Sequence, residues 1–182
     1  MGTGERANQQ TRGQGRGLEQ AATRVKEILV PVDGSEASME AVSLACATAK
    51  RNKGKVHVVY VVEVHRSLPL DADMGADARK GEEILDRAER RAEEADFEVE
   101  GQLLQARDAS HAIVDEAIER GVDAIILATG YKRRLGEGGV FAWPRGGKPS
   151  RLPGEFRLGR VCQYVLENAP CEVWLIRLPM AD

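Results

Sequence analysis

Asp33-Gly34-Ser35 closes the apolar run Ile28-Leu29-Val30-Pro31-Val32 with an acid, a glycine and a hydroxyl. A carboxylate there can accept hydrogen bonds from ligand hydroxyls, glycine lets the backbone turn sharply, and a serine or aspartate caps a helix whose first amides attract anions. The second chemically suggestive stretch is 131–160, which holds eight bases (Lys132, Arg133, Arg134, Arg145, Lys148, Arg151, Arg157, Arg160) and only Glu137 and Glu155 as acids. It carries a formal charge of +6 in a chain whose net charge is -3. Lys132, Arg133, Arg134 and Arg160 could hold an anionic ligand through side-chain charge, with Trp143 stacking on a base. Alternatively the stretch is a solvated excursion or docking surface, pinned to the body by Phe141, Trp143 and Phe156. Both readings stand on the residues alone.

Other chemistries find no support in the spacing. Cys46, Cys162 and Cys171 form no CxxC pair, which points to a reducing cytoplasm and idle thiols. His57, His65 and His111 are equally dispersed, with no zinc-ligand or HExxH spacing, and are expected to be structural or exposed. No GxSxG elbow and no His/Cys nucleophile arrangement occurs, so no enzymatic role is expected. Gly13-Gln14-Gly15-Arg16-Gly17 lacks the preceding strand of a dinucleotide fingerprint. Gly146-Gly147-Lys148-Pro149-Ser150 lacks the first glycine of a P-loop, Ala142 standing in its place. Met1 is followed by polar residues and glycine, and even Val56 to Val64 is interrupted by His57 and Glu63. Neither a secretory signal nor a membrane span is expected.

These groups need elements to position them. Residues 1–24 are rich in Gly and Gln and nearly devoid of apolar side chains, and are expected to be a disordered N-terminal tail whose arginines are solvated rather than bound to nucleic acid. The domain then occupies 25–182, with a basic Gly/Pro-rich insertion at 136–157. Ile28 to Val32 has the unbroken apolar run of a strand buried on both faces, and Pro31 belongs at its last turn. Ala41, Leu44, Ala45 and Thr48 mark a helix over about 36–51, capped by Ser35 or Asp33 and stopped at Asn52-Lys53-Gly54. Val56 to Val64 is a second strand. A helix over about 78–95 follows, with Leu85, Ala88, Ala92 and Ala95 inward and solvated Glu83/Arg87 and Asp86/Arg90 pairs outward. Phe97 to Gln105 reads as an edge strand. Asp108 opens a helix with Val114, Ala117 and Ile118 as its stripe, ending at Gly121. Val122 to Leu127 is the second buried strand. A last helix over 161–169, with Val161, Tyr164, Val165 and Asn168 on one side, precedes a strand at 172–178. This alternation predicts an α/β, mostly parallel open sheet with helices on both faces.

Ile28 to Ser35, the Val122-Asp123-x-Ile125-Ile126-Leu127 entry and Glu167-Asn168-Ala169-Pro170-Cys171-Glu172-Val173 together resemble the universal stress protein (UspA) family over about 25–178. The resemblance implies a five-stranded, Rossmann-like fold of the adenine nucleotide alpha hydrolase type, in strand order 3-2-1-4-5. It implies a stress-response protein that binds ATP or a related adenine nucleotide, with Mg²⁺ accompanying it, in the crevice between strands one and four. The nucleoside would lie against Pro31, Val32, Asp33 and Val61, and the phosphates against Ala128, Thr129, Gly130, Lys132, Gly159, Arg160 and Val161.

The family's phosphate motif has Gly, two residues, Gly, nine residues, then Gly followed by Ser or Thr. Here Ala128 and Tyr131 stand at the first two glycines, Gly130 lies one residue off, Gly159 is kept, and Arg160 replaces the hydroxyl. Between Leu135 and Leu158 lie 22 residues, far more than that motif leaves. The alternative is therefore a nucleotide-independent, dimeric interaction protein with an unknown protein partner. Either way the resemblance implies a homodimer through the apolar strand 172–178.

Overall fold

A computed structural model describes residues 25–70, 74–129 and 158–178. The tail expected at 1–24, Gly130, Lys132 and the insertion at 136–157 lie outside the described residues. Within them the chain alternates strand and helix: β1 Glu27–Pro31, α1 Glu36–Asn52, β2 Lys55–Glu63, α2 Gly75–Glu94, β3 Glu100–Ala106, α3 Ala109–Arg120, β4 Ala124–Ala128, α4 Arg160–Asn168 and β5 Glu172–Ile176. The five strands form one sheet in order β3-β2-β1-β4-β5, and every pairing is parallel. The expected architecture is the observed one.

β1 is central because its side chains are apolar toward both layers. Ile28 and Val30 pack with Val42, Ala45 and Cys46 of α1 and with Ile84, Leu85, Ala88 and Ala92 of α2. Leu29 faces the other way, into Ile125 and Leu127, Ile113 and Val114 of α3 and Cys162 and Val165 of α4. Ile28, Leu29 and Val30 are wholly buried, each burial stabilising the fold by roughly 1.5–3 kcal/mol.

Asp123 fixes which strands are neighbours. Its carboxylate accepts the amides of Lys26 and Glu27 at 2.8 and 3.0 Å, its own amide donates to the Glu27 carbonyl at 2.8 Å, and its carbonyl accepts from the Glu172 amide at 3.2 Å. One residue thus ties the starts of β1, β4 and β5 together. Ile28 then lies opposite Ala124, and Leu29 opposite Ile125.

Several helix faces differ from the expected ones. Leu44 is 41% exposed, because the sheet accepts the small residues Ala41, Ala45 and Ala49 with Val42 and Cys46 and leaves no room for a leucine on the neighbouring flank. Ile118 is 59% exposed; the stripe of α3 is Ile113, Val114 and Ala117, and Ile118 falls just beyond it. In α4 Val161 and Tyr164 pack against the core as expected, beside the buried Cys162 and Val165, while Asn168 is exposed and donates to the Tyr164 carbonyl. The charged face of α2 is used rather than merely solvated: Arg87 donates to the Gly34 carbonyl at 3.1 Å, and Arg91 pairs with Glu36 and Glu40 of α1. The stop after α1 falls at Asn52-Lys53-Gly54, as expected. Lys53 takes the left-handed conformation, with φ 55°. Gly54 is needed because a Cβ there would stand 2.1 Å from the Lys26 carbonyl oxygen.

Candidate functional site

The strand order reverses between β1 and β4, so the helices that follow these strands leave on opposite faces and a crevice opens at the strands' carboxyl ends. β1 reaches it through Pro31, the last residue on the ladder, opposite Val59. The Val32 amide makes one further bond to the Val59 carbonyl at 2.9 Å. The chain then turns at Gly34, whose φ of +83° places it in the left-handed region.

That turn decides between the two candidate caps. Ser35 is the N-cap of α1, its hydroxyl accepting the Ser38 amide at 3.2 Å, while Asp33 accepts the Ser35 amide at 2.9 Å. Burial pushes the Asp33 carboxyl upward, but hydrogen bonds from the Ser35 hydroxyl and amide outweigh it and hold the group below the ordinary carboxylate range. Asp33 is therefore a fixed anion at the mouth of the crevice.

The crevice has a volume of about 700 Å³. Pro31, Val32, Asp33, Val61, Ala128, Thr129, Gly159, Arg160 and Val161 line it, nine of the eleven residues singled out from the sequence. Gly130 and Lys132 lie outside the described residues. Thr129 is buried and its amide donates to the Ile176 carbonyl at 2.8 Å, which continues the β4–β5 pairing to the crevice floor. Gly159 is the N-cap of α4 and, having no side chain, gives that helix no side-chain cap.

Ser38, Tyr60, Glu63, Asp77 and Cys162 also line the crevice and were not read from the sequence. Glu63 had a signal: it is the polar residue ending a valine-rich strand, at the end of the sheet where ligands enter. Asp77 had none, since it comes from α2 through tertiary packing. The Cys162 thiol is pushed up by burial and by the charge of Asp33, so it stays protonated near neutral pH.

Arg160 is already paired with two carboxylates before any anion arrives. One arm of its guanidinium donates to Asp108 and the other to Glu63, the latter at 3.0 Å. Both acids are anchored independently on the first turn of α3. Asp108 caps that helix by accepting the Ser110 amide at 2.9 Å, and Glu63 accepts the Ala109 amide at 2.9 Å. The Ser110 hydroxyl and amide, with Arg160 beyond them, hold the Asp108 carboxyl down to about 2.

An adenine nucleotide fits this site unevenly. The apolar wall of Val32, Val61 and Val161 with the fixed Asp33 carboxylate suits a nucleoside, whereas the rest of the described lining sets two carboxylates (Glu63, Asp77) against one guanidinium. Among the described residues no group of three His, Cys, Asp or Glu side chains could hold a metal ion.

The family model described as the universal stress protein family matches residues 24–177. The chain belongs to the universal stress protein family. A curated universal stress protein of Methanocaldococcus jannaschii is 28% identical over 163 residues, covering 86% of this chain and 85% of that protein. Among solved structures, the universal stress protein of Archaeoglobus fulgidus in complex with dAMP superposes with a TM-score of 0.60 at 20% identity, covering 82% of this chain and 96% of that one. A universal stress protein family member of Arabidopsis thaliana with AMP bound gives 0.53 at 16% identity, covering 85% and 92%. At these identities the structural likeness establishes the universal stress protein fold. Among the described residues no helix is long and apolar enough to cross a membrane.

Proposed function

We propose that this universal stress protein is a non-enzymatic, cytoplasmic stress-response protein that holds an adenine nucleotide in the crevice between β1 and β4. The observation that carries the reading is the convergence on one crevice of every described residue assigned to the nucleotide from the sequence. Structural neighbours with dAMP and with AMP support an adenine ligand. In this reading Asp33 accepts hydrogen bonds from the ribose hydroxyls, Val32 and Val61 flank the nucleoside, and Thr129, Gly159 and Val161 border the phosphate end.

A non-catalytic role accords with the groups present. Cys162 is held as a thiol and Asp33 is held ionised with its hydrogen bonds made, so neither is poised to exchange a proton near neutral pH. Binding would then act by stabilising one state of the protein and its contacts, since a ligand that binds only the folded form shifts that equilibrium. Titration calorimetry with an adenine nucleotide is expected to give one site per chain, and Asp33→Ala to weaken it by about ten-fold. Unchanged affinity in that variant would place the ligand elsewhere.

A second reading is favoured by the ion-paired Arg160. A universal stress protein whose phosphate end is already neutralised could act through protein contacts alone, as a homodimer with a further partner. Absence of binding by any adenine nucleoside or nucleotide would select it.

A further inference from the structure

We infer that the Glu63–Arg160–Asp108 ion-pair triad makes the crevice select its ligand by charge, accepting adenosine or adenosine monophosphate and discriminating against ATP. The inference rests on the crevice reading above and specifies the ligand class.

Arg160 is the first residue of α4, directly after the N-cap Gly159. An arginine there would ordinarily favour a polyanion. Here its guanidinium spans two carboxylates, donating to Asp108 at the start of α3 and to Glu63 at the end of β2. Neither carboxylate depends on Arg160 for its place, because each also accepts an amide from the first turn of α3. A phosphate reaching Arg160 therefore competes with two fixed anions. Pulling the guanidinium away would leave Glu63, which lines the crevice, facing the ligand unpaired.

The remaining acids act in the same direction. Asp33 lines the crevice from β1 and Asp77 from α2, so the described lining holds an excess of negative charge before any ligand enters. Each added phosphate raises the like-charge repulsion. A ribose, in contrast, offers hydroxyl donors to the carboxylates and gains from the same acidity. One phosphate can still share the unused donors of the guanidinium, which has five N–H groups. A triphosphate brings more charge than Arg160, the one base among the described lining residues, can offset.

The test uses the full chain, titrated with adenosine, adenosine monophosphate and ATP in EDTA at low salt. Adenosine and the monophosphate are expected to bind within a few-fold of each other, and ATP about ten-fold or more weakly. Raising the ionic strength should narrow the adenosine-to-ATP ratio by screening the carboxylates. Glu63→Gln should reduce that ratio about ten-fold, and Arg160→Gln should increase it. Thermal melts of both variants confirm that they fold, and the salt dependence of the unaltered protein tests the idea without any variant. ATP binding as tightly as adenosine, or a ratio insensitive to salt and to both substitutions, overturns the inference while leaving the crevice reading intact. No heat with any of the three ligands removes both.

Discussion

At the scale of single residues, the turn after β1 depends on Gly34. Its φ of +83° costs an L-residue roughly 1–2 kcal/mol. A Cβ there would also sit 2.8 Å from Ile84 Cδ1, the mobile end of a side chain that can give way. Handedness is thus the larger effect, offset in part by the lower chain entropy of alanine when unfolded, about 0.4–1 kcal/mol. Gly34→Ala is expected to lose about 1 kcal/mol, read as a lower urea midpoint at unchanged slope. An unchanged midpoint would mean that the turn relaxes freely.

Asp108 offers a second test at this scale. Its folded-state carboxyl is held at about 2 against an ordinary 3.8, so the charged form is favoured by folding. The resulting stability is present in full above the ordinary value, declines as the pH falls from 3.8 toward about 2, and is gone below both. Asp108→Asn keeps a capping oxygen but loses the charge. It should be less stable than the parent at pH 7 by about 1 kcal/mol or less, given the exposure of Arg160, and the gap should close through that acid window. A gap that widens below pH 4 would contradict the assignment.

At the scale of elements, Asp123 holds β1, β4 and β5 at their starts. Asp123→Ala leaves the Lys26 and Glu27 amides without their acceptor, which costs about 1–3 kcal/mol where water cannot replace it. Hydrogen exchange should speed first at the amides of 26–28, while α2 and β3 stay protected; uniform acceleration would indicate global destabilisation instead. The fold was legible in the sequence because β1 and β4 must be apolar on both faces, and that pattern survives in one dimension. The crevice followed from it, since Asp33 and Thr129 each stand just past the end of a buried strand. The helix faces were less legible. Volume rather than hydrophobicity decides them, which is why alanines lie under α1 and Leu44 outside. Gly54 belongs to the helix stop, its amide donating to the Ala49 carbonyl, but its second role as a point of backbone approach was not legible, because close contact with Lys26 is a fact of the folded state alone. Arg160 was visible as a departure from the family motif, but its pairing with Glu63 and Asp108, which come from other elements, had no local signal.

At the scale of the whole molecule, the sheet has two edges of different character. β3 carries Glu100, Gln102 and Gln105, polar groups that discourage another strand from pairing. β5 reads Glu172-Val173-Trp174-Leu175-Ile176, pairs only with β4 among the described strands, and leaves Leu175 37% exposed. An apolar edge of this kind is stabilised when a second copy covers it, by main-chain hydrogen bonds and by removal of Val173, Trp174 and Leu175 from water. This universal stress protein is therefore expected to scatter light as a homodimer, at about twice the 19.9 kDa of one chain. Leu175→Glu would set two like charges near the twofold axis and should give a monomer with the same far-ultraviolet circular dichroism, because the side chain is not part of the buried core. The crevice lies at the strands' carboxyl ends and Leu175 at an edge, so adenosine affinity should persist in that monomer. Its loss on dissociation would show that the site is completed across the dimer. An unaltered chain that stays monomeric at high concentration would remove β5 as the interface.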